Sequence, residues 1–141
     1  MNLDIINPLN HENWDSLLLP VPESTFFHSS AWVKVLSESY QYVPSYFTRF
    51  GNKTISILMP FMDVKSILTG HRGVSLPFTD FCEPIVNEDI RFPDIMGQII
   101  DYGKIKGWEY LEFRGGSRFL SSTQPFASYY CHTLSLSGNP N

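Results

Sequence analysis

The chain has 141 residues, of which 43% are hydrophobic, 15% aromatic and only 17% charged, with a net charge of −4. That length suits one domain with a real core. The negative charge, with no basic stripe, excludes DNA binding by neutralising phosphates and a charge-driven membrane dock.

So thin a charge fits a compact aromatic-rich domain or a surface covered in the native molecule. The opening "MNLDIINPLN" has neither a basic region nor an apolar one, so a secretory signal is not expected. The most apolar run, "ISILMPFMDV", is broken by Pro60 and Asp63 and is too short to span a bilayer. Cys82 and Cys131 are too few for a disulfide framework and read as reduced thiols of a cytoplasmic protein.

Leu3–Ile6 reads as a short strand. Asn10 is placed to cap a helix over "HENWDSLLL", closed by Pro20. Ser29 or Ser30 can cap a second helix through Tyr40, with Trp32, Val35 and Leu36 on one side. The period then changes. "VPSYFTRF" and "TISILMPFMDV" flank Gly51-Asn52, a tight-turn signal, and predict a hairpin. In its second strand Ile55, Ile57, Met59 and Phe61 share one face, and Leu58, Met62 and Val64 line the other. A strand apolar on both faces belongs inside a sheet.

"SILTGHRGV" supplies a third antiparallel strand, in which Gly70 and Gly73 mark a bulge or a close approach. Pro93 and Asp94 suit the start of a third helix, Ile95, Met96, Ile99 and Tyr102 form its buried stripe, and Gly107 is its C-cap. "WEYLEF" returns to the sheet as a strand parallel to the one before that helix, and Ser128–Leu136 reads as a last strand. The order is β-α-α-β-β-β-α-β-β, an α/β (α+β) fold with a mixed, mostly antiparallel sheet and helices on both faces. One domain over 1–137 follows, with 138–141 as the start of a linker. A final strand left uncovered predicts that the chain is a piece of a longer protein.

This order resembles the N-terminal part of a GNAT-type acyltransferase fold. "FFHSSAWVKVLSESYQYVPSYF", Phe26 to Phe47, and "ILMPFMDVKSILTGHRGVSLPFTDFCEPIV", Ile57 to Val86, resemble FemAB-like proteins. Those are the peptidoglycan interpeptide-bridge aminoacyltransferases and their relatives. The resemblance implies two GNAT-like lobes, of which this chain holds most of the first. It implies transfer of an acyl or aminoacyl group to an amine acceptor such as a peptidoglycan precursor, in cell-envelope or polysaccharide-related metabolism. The donor, acyl-CoA or aminoacyl-tRNA, would serve the full-length protein, and this chain alone is expected to be inactive and to hold no cofactor. The Gln/Arg-x-x-Gly-x-Gly/Ala pyrophosphate loop of acetyl-CoA enzymes is absent. "FRGGSRF" has the glycines without the spacing. Lys34 stands on the tryptophan-bearing helix, but no family role is carried onto it.

Acyl transfer needs a base for the amine and donors for an oxyanion. Asp80 in "PFTDF" is the candidate base, since a carboxylate among aromatics can have its pKa raised. Asp80 and Thr79 equally suit closing the loop on its own backbone. Arg72, Phe78, Thr79 and Arg114 are the candidate substrate-binding residues. Arg72 offers a fork for carboxylate or phosphate, or a salt bridge to Asp63, Asp80 or Glu83. Arg114 and Arg118 can reach an anion or simply be solvated. Cys82 near His71 raises a thiol nucleophile, against the commoner reading of a buried small hydrophobe. No metal site is expected from His71, Asp80, Cys82 and His132, which lack ligand spacing. Trp32 and Tyr40 can stack on a ligand, though such residues are more often core, and His28 belongs to the helix cap. The rival to an enzyme is a GNAT-like lobe that only binds or scaffolds.

Overall fold

A computed structural model describes residues 2–51, 54–79, 82–86 and 91–130. Strand β1 (Asp4–Ile6) leads into helix α1 (Trp14–Leu18) and helix α2 (Ser30–Tyr40). The long hairpin follows as β2 (Val43–Pro44), β3 (Tyr46–Phe50), β4 (Ile55–Met59) and β5 (Met62–Ser66). Strand β6 (Gly70–Val74), strand β7 (Ile85–Val86), helix α3 (Phe92–Lys106) and strand β8 (Tyr110–Glu112) complete the order.

Two four-stranded sheets run β1-β3-β4-β7 and β2-β5-β6-β8. The hairpin joins them. Pro44 faces Met62 and Phe47 faces Met59, so one register persists across the gap. Ser45 N donates to Phe61 O at 2.8 Å inside that gap. The predicted single strand through "TISILMPFMDV" is divided because Pro60 has no N–H to give to the ladder. All pairs are antiparallel except β6 with β8, which are parallel, with α3 in the crossover between them.

Helices cover both faces. Beneath α1 and α2, Trp14, Leu18, Val33 and Leu36 pack on Tyr46, Leu58, Met62 and Val64. On the other face, Phe92, Ile95 and Ile99 of α3 pack on Phe47, Ile57, Met59 and Phe61. Burying each such side chain stabilises the fold by about 1.5–3 kcal/mol. Ile55 joins the first cluster, not the face of Ile57 as alternation predicted. The register shifts at Arg49/Phe50, Ser56 is the extra residue, and its Oγ donates to Arg49 O at 3.1 Å.

The caps follow local chemistry. Ser29 accepts from Trp32 N at the start of α2, and Gly107 at φ 78 ends α3. Within α2 Val33 faces inward with Leu36; Val35 is exposed, a correction to the predicted stripe. The first helix is shorter than expected. Asn13 at φ 64 blocks an earlier start, and Asn10 instead ends a 3-10 turn, Pro8–Asn10, capped by Asn7. Ser128–Tyr130 are not in a strand, and residues 131–136 of the last expected strand lie outside the described residues. So do Asn52 and Lys53 of the hairpin turn, whose ends are joined by Gly51 N donating to Thr54 O at 2.9 Å. No helix among the described residues is long and apolar enough to cross a membrane.

Candidate functional site

The loop after β6 is built on unusual backbone. Leu76 and Phe78 have φ of 43° and 60°, where side chains other than glycine are disfavoured. Thr79 holds this turn by donating from Oγ1 to Leu76 O at 2.8 Å. Leu76 is buried, whereas Phe78 points out and remains 54% exposed. The Phe78 ring stacks on Tyr40 at 4.5 Å and lies parallel to Tyr42 at 6.4 Å. Tyr40 is thus a surface ring in a stack, while Trp32 packs against the core.

Arg72 faces Val64 on one side and Tyr110 on the other across the sheet. Its guanidinium lies 5.9 Å from the Tyr110 ring centre and donates to Thr69 O and Thr69 Oγ1. Its Nε is buried without a hydrogen-bond partner among the described residues. The expected pairings with Asp63 and Glu83 are not made. Asp63 is engaged by His71 and Trp108, and Glu83 Oε2 accepts from Gly116 N at 2.9 Å. Asp80, the candidate base, lies outside the described residues.

Arg114 and Thr79 are used internally. Arg114 Nε and Nη2 bond Glu112 Oε1 at 2.7 and 2.6 Å. Ser75 then ties the parallel strands together beyond their ladder. Its N–H donates to Glu112 O at 2.9 Å and its Oγ accepts from Arg114 N at 2.7 Å. Arg118 lies against the Phe119 ring at 4.5 Å, and Lys34 pairs with Glu38 on α2.

Cys82 meets a different histidine from the one its sequence neighbourhood suggested. Its Sγ lies 3.3 Å from His28 Nε2, 54 residues away. His28 Nδ1 accepts from Thr25 N at 3.0 Å, so the proton of the neutral ring is on Nε2, which donates to Glu83 O at 3.1 Å. Burial lowers the His28 pKa and pushes the Cys82 thiol up to about 12. Neither nitrogen is free to take the thiol proton, so this pair is a core contact and not an activated nucleophile. His28 does not cap α2 as expected: it closes the preceding 3-10 turn, Phe26–His28, on Thr25, and Ser29 caps α2.

A second polar cluster, unread from sequence, stands on the α3 face. Asp63 Oδ1 accepts from His71 Nε2 at 2.7 Å, and Asp63 Oδ2 accepts from Trp108 Nε1 at 3.0 Å. Trp108 fits because two facing residues lack side chains: a Cβ on Gly73 would overlap the indole, and one on Gly103 would meet it at 2.7 Å. The Lys65–His71 and Asp63–Gly73 register puts Asp63 and His71 on one strand face, diagonal to each other. The hairpin register, had it been fixed, was the signal for that pair. Two open depressions, about 330 and 390 Å³, are lined at Pro8, His11 and Asp15 and at Lys65, His71 and Glu109; the described residues among 77–84 line neither.

No protein-family model matches this chain, and no curated protein matches it. Among solved structures, the chain is similar to a ribosomal-protein-alanine N-acetyltransferase from Brucella melitensis biovar Abortus 2308. The TM-score is 0.57 at 12% identity, covering 95% of this chain and 97% of that one. The fold is therefore GNAT-like.

Proposed function

We propose that this chain is the first lobe of a FemAB-like acyl- or aminoacyltransferase acting on an amine acceptor such as a peptidoglycan precursor. What supports the reading is the crossover β6-α3-β8, with its parallel strand pair at one side of an otherwise antiparallel sheet. The fold as a whole is similar to that of the N-acetyltransferase along nearly the whole of both chains. Arg72 and the outward ring of Phe78 would form the acceptor wall, and Asp80 would take the amine proton. Acyl-CoA or aminoacyl-tRNA would be the donor, and a second lobe would complete the cleft.

The test is calorimetric titration of the chain with a soluble nucleotide-linked muramyl peptide, beside transfer assays with labelled donors on the parent protein. Saturable binding that falls at least fivefold in Arg72→Ala is expected. Absence of both binding and transfer would leave the second reading, a GNAT-like lobe that binds a protein partner or scaffolds an assembly. One observation favours that reading: Ser75 closes the β6/β8 pair, so no slot between these strands is preformed.

A further inference from the structure

The depression on the α3 face is independent of the transfer reading. We propose that this space, lined by His71 and Glu109, seats a primary organic ammonium, with His71 Nδ1 accepting a hydrogen bond from one of its N–H groups.

The acceptor follows from the hydrogen bonds. A carboxylate at neutral pH only accepts, so His71 Nε2 carries the hydrogen shared with Asp63. The Nδ1 lone pair is then the basic atom of a neutral ring. Asp63 cannot rotate away, because Trp108 holds its other oxygen and is itself wedged between Gly73 and Gly103. Asp63 and Trp108 are positioning residues, and they set the tautomer. The His71 backbone is also tied at both ends, its N–H to Glu109 Oε1 at 3.2 Å and its C=O to Glu109 N at 2.8 Å.

The ligand follows from what lines the depression. Glu109 brings its carboxylate over Gly70, at a place any side chain would occupy, since a Cβ there would meet Oε2 at 2.6 Å. Glu109 and His71 both line one open space of about 390 Å³. The charged groups around His71 are Asp63, Glu109 and, across the strand pair, Lys65, which leaves a net negative seat. From the end of α3 comes Gly107, without charge, and Lys106 lies over the Tyr102 ring. An ammonium supplies both the positive charge and several N–H donors from one atom. Ile67, fully exposed, lines the depression, and its equally bare neighbour Leu68 follows in the turn; together they suit an aliphatic substituent. The ammonium is held as a cation, one N–H donated to Nδ1 and the others to the Glu109 carboxylate.

Nuclear magnetic resonance of the whole chain tests this with hexylammonium chloride, and with tetramethylammonium chloride as a cation without N–H donors. Saturable shifts of the His71 ring resonances are expected with the first and none with the second. Glu109→Gln should weaken hexylammonium binding at least tenfold while the thermal midpoint stays within a few degrees. No saturable shift in the wild-type chain, an equal response to tetramethylammonium, or unchanged binding in Glu109→Gln would overturn the proposal. Acyl-transfer assays play no part in it, so the two readings stand or fall separately.

Discussion

The indole of Trp108 occupies the space that a side chain on Gly73 would fill. Gly73→Ala therefore forces the ring out or bends β6. Overpacking of this kind costs about 1–3 kcal/mol, read as a lower thermal midpoint with a red shift of the Trp108 emission. Gly97, exposed on α3 with nothing within 4 Å of an added methyl, is the opposite case. Gly97→Ala should stabilise by about 0.5–1 kcal/mol.

Cys82 is held as a thiol by burial, with its pKa raised from 9.0 to about 12. The unfolded chain ionises first, so this contribution is complete below pH 9 and is lost as pH rises toward 12. Unfolding free energy should fall by about 1.4 kcal/mol per pH unit across that window relative to Cys82→Ala. In a Cys131→Ser background, native protein at pH 7.5 should resist a disulfide reagent that labels the unfolded chain at once.

His28 is fully buried, and burial lowers its pKa below 6.5. The folded state thus refuses a proton that the unfolded chain accepts. Its contribution is complete above pH 6.5 and declines as pH falls through the lowered folded value. His28→Ala should cost about 3 kcal/mol at pH 7, leaving Thr25 N and Glu83 O without partners. It should also flatten the acid limb of the stability profile measured by urea unfolding.

Thr79 and Phe78 are neighbours with separable roles. Thr79→Val removes the bond to Leu76 O and should cost about 1 kcal/mol without altering ligand binding. Phe78→Gly relieves a left-handed backbone worth about 1–2 kcal/mol and gives up stacking worth about 0.5–1.5 kcal/mol. Its stability should be near that of the parent, while affinity for the muramyl peptide drops in titration.

Much of the architecture was legible because it rests on local rules. Ser29 at the start of α2, Asp94 and Gly107 at the ends of α3, and the parallel return of β8 all follow from capping and crossover chemistry. What was not legible depends on register. The bulge at Ser56 sends Ile55 to the other face, and Pro60 splits a strand without changing its pairing. The site fared the same way. Cys82 was read beside His71 because the two are close in sequence, yet its partner is His28, brought in by folding over 54 residues. Asp63, His71 and Trp108 meet only once hairpin and crossover are both in place.

Every side chain from Ile55 to Met59 is buried. Released from its neighbours, such a run has no polar side to mark which way it should face, and it is adhesive toward copies of itself. Pro60, placed directly after it, cannot continue a cross-β ladder. The residue that interrupts the native strand thereby also limits aggregation of the nascent chain, before α1, α2 and α3 close over both faces.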